Sequence, residues 1–190
     1  MLGRPEASIF VDGAYLHKIN QIFGYNLDYE KFFDELCEPD FYRKRTYYFD
    51  ALPWKPFKKP TQEQVDFFNN KQRFLEMINF IPRTEVRYGK TQMKSLDPPI
   101  FVQKMVDVLL SLCMVNLAWK KDIRYFILIA GDSDFVPAVK AVKEHGGTIK
   151  VVYALKKKSH FKVQIHHQLK IEVDERFEIT DAFWNQVIRK

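Results

Sequence analysis

The sequence predicts an α/β fold of three layers, in which helices cover both faces of a central, mainly parallel sheet of five or six strands. Short apolar runs rich in β-branched and aromatic residues alternate with segments whose apolar residues recur at helical spacing. The apolar runs are continuous, which is typical of strands buried on both faces. Alternating strands and helices favour right-handed βαβ units and therefore parallel strands. At 190 residues we expect one domain, spanning residues 1–190, with a substantial core.

The composition is typical of a soluble globular protein, with 46% apolar and 28% charged residues. No apolar run is long enough to span a membrane, and the N-terminus lacks the pattern of a signal peptide, so we expect a cytoplasmic protein without membrane association. Cys37 and Cys113 form no spacing motif, and two reduced core thiols are expected. The net charge of +6 favours a polyanionic partner, most simply nucleic acid.

The first half of the chain contains three predicted strands and three predicted helices. A strand at residues 7–11 ends at Asp12 and Gly13, where glycine permits a tight exit into a helix at 14–23. The elements expected next are a helix at 29–36, a strand at 45–52, a loop at 53–60, a helix at 62–78 and a strand at 85–88. The proline-rich loop mixes aromatic residues with lysines and could stack bases and hold phosphates. A surface loop packed by its own tryptophan is an equally good interpretation.

The second half of the chain begins with a polar, basic loop at residues 89–97, of the kind that contacts substrates. Asp97 and Pro98 are expected to open a helix that runs to about Trp119, is apolar nearly all round and should be largely buried. A buried strand at 125–130 follows. The remaining predicted elements are a helix capped by Ser133 or Asp134, a strand at 148–154, a short strand at 177–180 and a closing helix at 182–188.

Three aspartates directly follow two of the predicted strands. Asp12 ends the first strand, and Asp132 and Asp134 follow the strand at 125–130. In an open parallel sheet these strand ends share one edge, where such sheets keep their sites. Carboxylates brought together repel one another unless a cation or a proton intervenes. The alternative is that these acids only cap the helices that follow them.

A further aspartate, Asp107, lies in the middle of the predicted apolar helix. An isolated buried carboxylate is costly, so it must be ion-paired, protonated or bound to a metal. Lys104 and Ser111 lie one turn to either side, and a Lys104–Asp107 ion pair on a narrow wet face is one interpretation. The other interpretation is that Asp107 is directed at the carboxyl edge of the sheet.

The chemistry of this acidic set favours a hard divalent cation. Three or four carboxylates without a matching cluster of Arg or Lys suit Mg²⁺ or Mn²⁺. One such ion, or a pair about 4 Å apart, can activate water and clamp a scissile phosphate. A Gly-rich phosphate loop, a Ser-His-Asp set and an HExxH motif are all absent from the sequence, which argues against NTPase, acyl-hydrolase and zincin chemistry.

Three blocks of sequence carry these acids: Ile9-Phe-Val-Asp-Gly-Ala-Tyr-Leu16, Lys104-Met-Val-Asp-Val108 and Ile129-Ala-Gly-Asp-Ser-Asp-Phe-Val-Pro137. In order and spacing they resemble the signature blocks of NYN domains, in the LabA-like branch of the PIN-like nucleases, over nearly the whole chain. The third block is the specific one. The resemblance implies a PIN-like, Rossmann-like α/β/α fold and a metal-dependent endoribonuclease using Mg²⁺ or Mn²⁺. It also implies an acidic site for catalysis and metal binding, made of Asp12, Asp107, Asp132 and Asp134. Ser133 and Asp174 would be peripheral to this site.

Two positions depart from the pattern of that family. Many relatives carry Asn where this chain has Tyr15, and a second helical acid where it has Cys113. Fewer polar groups imply a narrower metal site, a different substrate geometry or an absence of catalysis.

These observations lead to the hypothesis of a metal-dependent nuclease acting on RNA, with Asp12, Asp132 and Asp134 holding the metal. Asp107 would complete the metal shell or orient the attacking water. The lysines expected to guide the phosphate backbone are Lys90, Lys94, Lys104, Lys156, Lys157 and Lys158. The rival hypothesis is a non-catalytic RNA- or protein-binding regulatory module on the same fold. A phosphatase is disfavoured because Ala14, rather than an acid, stands two positions after Asp12. The sequence leaves a homodimer open.

Overall fold

The structure, a computed structural model, describes residues 4–24, 26–53, 61–96, 99–158 and 161–189; for 92–96 and 99–103 it describes the backbone alone. The strands are β1 (Glu6–Asp12), β2 (Tyr42–Asp50), β3 (Thr84–Tyr88), β4 (Lys90–Leu96), β5 (Pro99–Lys104), β6 (Tyr125–Ile129), β7 (Thr148–Tyr153), β8 (Lys156–Lys158), β9 (Phe161–Val163) and β10 (Glu175–Glu178). The α-helices are α1 (Gly13–Phe23), α2 (Tyr29–Glu35), α3 (Gln62–Phe80), α4 (Val106–Trp119), α5 (Val136–Glu144), α6 (His167–Glu172) and α7 (Asp181–Gln186), and a 3₁₀ turn covers Ser133–Phe135.

Six strands form one parallel sheet in the order β10-β7-β6-β1-β2-β3. This confirms the predicted α/β/α fold, with helices flanking the sheet. Strand β1 lies between β2 and β6, so the ends of the three strands meet at the same carboxyl edge. The two remaining strand pairs, β4–β5 and β8–β9, form separate antiparallel hairpins.

The central strands are buried as their continuous apolar runs predict. Residues 7–11 of β1 and 126–129 of β6 are essentially inaccessible to solvent. Across the sheet, the ring of Phe10 stacks on Tyr47 at 5.3 Å and on Phe126 at 5.5 Å between ring centroids. Cys37 and Cys113 are buried free thiols, as expected. None of the described helices has the length and apolar character that a membrane crossing requires.

Residues 90–96 and 99–104 differ from the prediction, because they pair as the antiparallel strands β4 and β5 instead of forming a polar loop and the first turns of a helix. Lys90 pairs with Lys104 in its register, and the backbone N–H of Gly89 donates to the carbonyl of Asp50 at 2.8 Å, which ties the hairpin to the end of β2. The apolar run that follows residue 99 predicts the start of the helix because its residues are apolar. It forms a strand instead, because a partner strand lies beside it. The proposed cap at Asp97–Pro98 and most of the loop at 53–60 lie outside the described residues.

Helix α4 is not buried on all sides, contrary to the prediction. Met114 and Leu110 are fully buried, but Val108, Leu112 and Trp119 are 56%, 54% and 71% exposed. A helix that is apolar all round contains no periodic signal to tell which face meets the sheet, so only the tertiary contacts could decide.

Smaller differences concern the boundaries and two unassigned segments. Strand β2 begins at Tyr42, three residues earlier than predicted, and α3 continues to Phe80. The sequence assigned no element to 156–158 or to 167–172; the first is the short strand β8, and the second is the helix α6.

Arg43 provides a test of the packing at the amino half of β2. Its guanidinium is 2% exposed and donates to Asp34 Oδ1 at 2.6 Å, the Pro82 carbonyl at 3.0 Å and Thr46 Oγ1 at 3.3 Å. We predict that Arg43→Met lowers the free energy of unfolding by about 3 kcal/mol, because it removes the hydrogen bonds to Asp34 and the Pro82 carbonyl and leaves the buried hydroxyl of Thr46 without this donor. The neighbouring Lys44→Met, which breaks an exposed ion pair with Glu6, should cost less than about 1 kcal/mol. Urea unfolding measures both, and equal losses would contradict this account.

Candidate active site

Asp12 is the last residue of β1 and also the cap of α1. Its Oδ1 accepts hydrogen bonds from the backbone N–H groups of Ala14 at 3.0 Å and Tyr15 at 3.2 Å. Burial raises the pKa of this carboxyl to about 6, and the negative charges of Asp107 and Asp50 act in the same direction. Capping therefore explains the position of one oxygen of Asp12, and the negative charges of other acids act on the carboxyl group.

Asp132 plays the equivalent capping part at the end of β6. Its Oδ1 accepts from the backbone N–H of Asp134 at 3.2 Å and from Ser133 Oγ at 3.4 Å, closing the 3₁₀ turn. The prediction that Ser133 or Asp134 caps the next helix is wrong, because the turn comes first and Phe135 occupies the cap position of α5. Asp132 and Asp134 are both exposed.

Asp107 lies in the first turn of α4, exposed to solvent, and not in the middle of a buried helix as predicted. Partial loss of water raises the pKa of its carboxyl, and the charges of Asp132 and Asp134 raise it further. Lys104 ends β5 instead of lying one helical turn before Asp107, and no ion pair between them is found among the described side chains.

Of the four predicted acids, Asp107 is the one that interacts with each of the other three. Asp107 interacts electrostatically with Asp12 on one side and with Asp132 and Asp134 on the other. Within the described part of the chain, no Lys, Arg or His forms an ion pair with any of the four. The result is a strip of negative charge without an ion-pair partner among the side chains that the structure describes.

Asp50 is a fifth acid at this edge, and the sequence did not single it out as a site residue. It ends β2, is fully buried, and accepts from the Ala51 backbone N–H at 2.7 Å and from Lys71 Nζ at 2.6 Å. Its signal was the same as that of Asp12, since it also closes an apolar parallel strand. Unlike the other four acids, Asp50 has a cation directly against it.

The chemistry of the acidic strip suits a divalent cation. No three carboxylate, imidazole or thiol side chains among the described residues lie close enough together to hold one ion by themselves. Mg²⁺, however, usually keeps several waters and is bound by one or two carboxylates plus substrate phosphates. The oxygen-only donors of Asp12, Asp107, Asp132 and Asp134 fit that mode of binding.

The two departures from the family pattern have structural partners. Tyr15 is buried beside Gly131, where a Cβ atom would lie 2.3 Å from its ring, and the backbone N–H of Ala154 lies 3.5 Å from its hydroxyl. Cys113 Sγ is 2.9 Å from Nη1 of Arg87, a residue of β3. Tyr15 therefore packs between strand ends, while Cys113 faces β3 and not the acidic strip.

The predicted basic residues fall on the two hairpins. Lys157 and Lys158 are exposed on β8, whereas Lys156 pairs with Asp181 and lies over the ring of Phe23. Lys90 and Lys104 are exposed at the base of the β4–β5 hairpin; Lys94 lies on β4, but its side chain is outside the described set.

Asp174, predicted to be peripheral, lies at the other end of the sheet. Its Oδ2 accepts from the backbone N–H of Ile149 at 2.8 Å, next to the start of β7. It joins β10 to β7 at the amino edge, opposite the acidic strip.

Comparison with known proteins agrees with this fold. The NYN domain model matches residues 6–172. Curated protein sequences give no match. The crystal structure of VPA0982, a protein of unknown function from Vibrio parahaemolyticus RIMD 2210633, superposes with a TM-score of 0.65 at 16% sequence identity, covering 96% of this chain and 98% of that one. That similarity concerns the fold alone. The chain belongs to the NYN domain family, and through it to the PIN-like superfamily, whose members are generally nuclease-like.

Proposed function

We propose that this protein is a Mg²⁺- or Mn²⁺-dependent endoribonuclease. The observation that supports the proposal is the strip of four aspartates at the carboxyl edge, in which Asp107 interacts electrostatically with each of the other three. None of the four forms an ion pair among the described residues. Capping accounts for Asp12 and Asp132 one by one, but not for the gathering of four acids at one edge, and a divalent ion would relieve the repulsion among them.

The residues of the strip would have distinct roles. Asp12, Asp132 and Asp134 would hold the metal, which when bound would activate water and neutralise charge on the scissile phosphate. Asp107 would orient the attacking water, and its raised pKa brings its carboxyl towards the range in which a general base works. The hydrogen bonds that fix Asp12 and Asp132 as caps would hold their carboxylates in place before substrate arrives.

Binding of the phosphate backbone would fall to the hairpins. Lys157 and Lys158 on one side and Lys90 and Lys104 on the other lie on hairpins that follow β7 and β3, so they would flank the acidic strip. Their positive charge would hold phosphates while leaving the acids free for the cation.

A non-catalytic RNA-binding module is the second candidate, and it is favoured by the absence of any described trio of side chains close enough to hold a metal. It predicts binding that weakens with salt but no turnover that depends on metal.

Substitution of Asp132 by Asn tests catalysis. We predict that it reduces cleavage of labelled RNA in Mn²⁺ by about 100-fold or more. Even the substitution of residues that only hydrogen-bond to metal ligands lowers activity by about 10- to 100-fold, and Asp132 would be a ligand itself. The matched control is Asp122→Asn, an exposed aspartate that precedes β6 at the opposite edge of the sheet, which should cleave as the wild type does. Labelled single-stranded RNA, DNA and a generic phosphate ester should be assayed with and without chelator. Equal activity of the two variants, or full activity in chelator, would reject the nuclease.

The raised pKa of Asp12 predicts a pH-dependent effect of Asp12→Asn on stability. The folded-state pKa of about 6 exceeds the ordinary value, so ionised Asp12 destabilises the fold, and this penalty grows from about pH 4 to about pH 6 and remains above it. Asn caps helices as well as Asp does. The variant should be about 3 kcal/mol more stable than the wild type at pH 8, with the difference becoming small near pH 4. Urea unfolding at both pH values measures this, and a pH-independent difference would contradict the assigned cause.

Metal binding can be tested without activity. At pH 8, saturating Mn²⁺ should raise the Tm of the wild type, with each kcal/mol of binding worth about 2–4 °C. The double variant Asp12→Asn/Asp132→Asn should show no such rise. Thermal scanning at several Mn²⁺ concentrations measures the shift; the same rise in the double variant would place the ion elsewhere.

A further inference from the structure

A cavity of about 840 Å³ lies beside the acidic strip, between α1 and α3 and next to the exit of β2. Its lining includes Asp50 but none of the four aspartates of the strip. The volume is within the range of sites that bind small organic molecules. The lining residue Asp50 packs closely against Gly13, since a Cβ atom placed on that glycine would lie 2.6 Å from Asp50 Oδ2. Gly13 follows Asp12 directly, so the cavity begins one residue away from the acidic strip.

The inner wall of the cavity contains a polar group without a partner. Asn20 is 5% exposed; its Nδ2 donates to the hydroxyl of Tyr29 at 3.1 Å, and its Oδ1 has no hydrogen-bond partner among the described residues. A buried amide oxygen without a donor is destabilising. That oxygen is closed off from solvent, so Asn20 holds Tyr29 in place and does not itself offer a contact to a ligand.

The rest of the inner wall suits a flat apolar face. Tyr29 and Phe74 meet edge to face at 5.5 Å between ring centroids, and Leu27 and Met77 line the cavity with them. At the mouth stands Phe67, which is 65% exposed although it is a large aromatic side chain. A flat ring such as a nucleobase can stack on aromatic side chains of this kind.

Positive charge surrounds the same opening. Lys71 and Lys18 line the cavity, and Lys71 keeps part of its surface exposed while it pairs with Asp50. Phe161 of the β8–β9 hairpin also lines it, directly opposite Lys158 in the strand register, so the two share a face of the hairpin. A phosphate attached to a base in the cavity would therefore meet lysines at the rim.

We propose that the cavity receives an unpaired nucleobase of single-stranded RNA, adjacent to the nucleotide whose phosphate lies at the acidic strip. Phe67 and Phe74 pack against the faces of the base, and Lys71 and Lys158 face its phosphates. A base held in a duplex is stacked and paired and does not reach such a cavity. The identity of the ligand rests on the nuclease proposed above, whereas the cavity and its walls do not depend on catalysis.

The test compares two exposed phenylalanines of the same helix. Phe67→Ala removes the aromatic side chain at the mouth, and Phe80→Ala removes one that is 88% exposed and lies away from the cavity. Binding of fluorescein-labelled single-stranded 12-mers of A, C, G and U, and of a duplex, is measured by anisotropy in chelator, so that no cleavage occurs. We expect Phe67→Ala to weaken single-strand binding about 10-fold and Phe80→Ala to leave it unchanged.

A second variant tests the inner wall. Phe74→Leu keeps an apolar side chain but removes the aromatic ring, and we expect it to weaken binding of the single strands; its fold is checked by its circular dichroism and Tm. Equal binding by Phe67→Ala and Phe80→Ala, or equal affinity for duplex and single strand, would overturn the proposal. So would binding of free nucleoside monophosphates that depends on Phe67 while RNA binding does not.

The two proposals fail in different ways. If RNA binding in chelator depends on Phe67 but the wild type does not cleave RNA in Mn²⁺, the base site is supported and the nuclease is rejected. If the wild type cleaves RNA and Phe67→Ala changes neither affinity nor cleavage, the nuclease stands and the base site is rejected.

Discussion

Electrostatic repulsion at the carboxyl edge of the sheet is the constraint on which the organisation of this site depends. Parallel strands deliver Asp12 and Asp132 to the same edge, and α4 adds Asp107 from the side. Burial raises the pKa of Asp12 and of Asp107; the charge of Asp107 adds to the effect on Asp12, and the charges of Asp132 and Asp134 add to the effect on Asp107. Three layers of secondary structure hold these groups in place, because the strands that carry them are fully buried and cannot move apart. The stability of the core thus supports an arrangement that is unfavourable locally.

Asp50 shows what the same position becomes when its charge is balanced. It ends β2 as Asp12 ends β1, yet Lys71 lies 2.6 Å from its carboxylate. That pair closes one side of the strip and forms part of the wall of the cavity between α1 and α3. Adjacent strand ends therefore serve different purposes: one carries a neutralised structural pair, and the next carries charge that is available to a cation. The difference arises from α3, which supplies the lysine to only one of the two strands.

Capping and site chemistry are not competing explanations for the strand-end acids. Asp12 and Asp132 each accept backbone hydrogen bonds from the turn that follows them, so the simpler interpretation of the sequence, that they cap, is confirmed. Each cap uses Oδ1, and capping also restricts the rotation of the side chain. A carboxylate that is fixed by its own backbone needs no further reorganisation to bind a cation, which is why a cap at a strand end is a suitable place for a metal ligand.

The sequence by itself determined the parallel sheet, the order of its strands along the chain and the position of Asp12 and Asp132 at strand ends, because buried strands are continuous apolar runs and glycine marks their exits. It also determined family membership, through three blocks of sequence. Only the tertiary structure decided that residues 90–96 and 99–104 pair as strands, that one face of α4 is exposed and that Asp50 is paired with Lys71. These features depend on contacts between residues far apart in the chain: a strand forms when a partner strand lies beside it, a helix face is buried when a sheet covers it, and a carboxylate is neutralised when a distant helix brings a lysine. Local patterns contain none of this information.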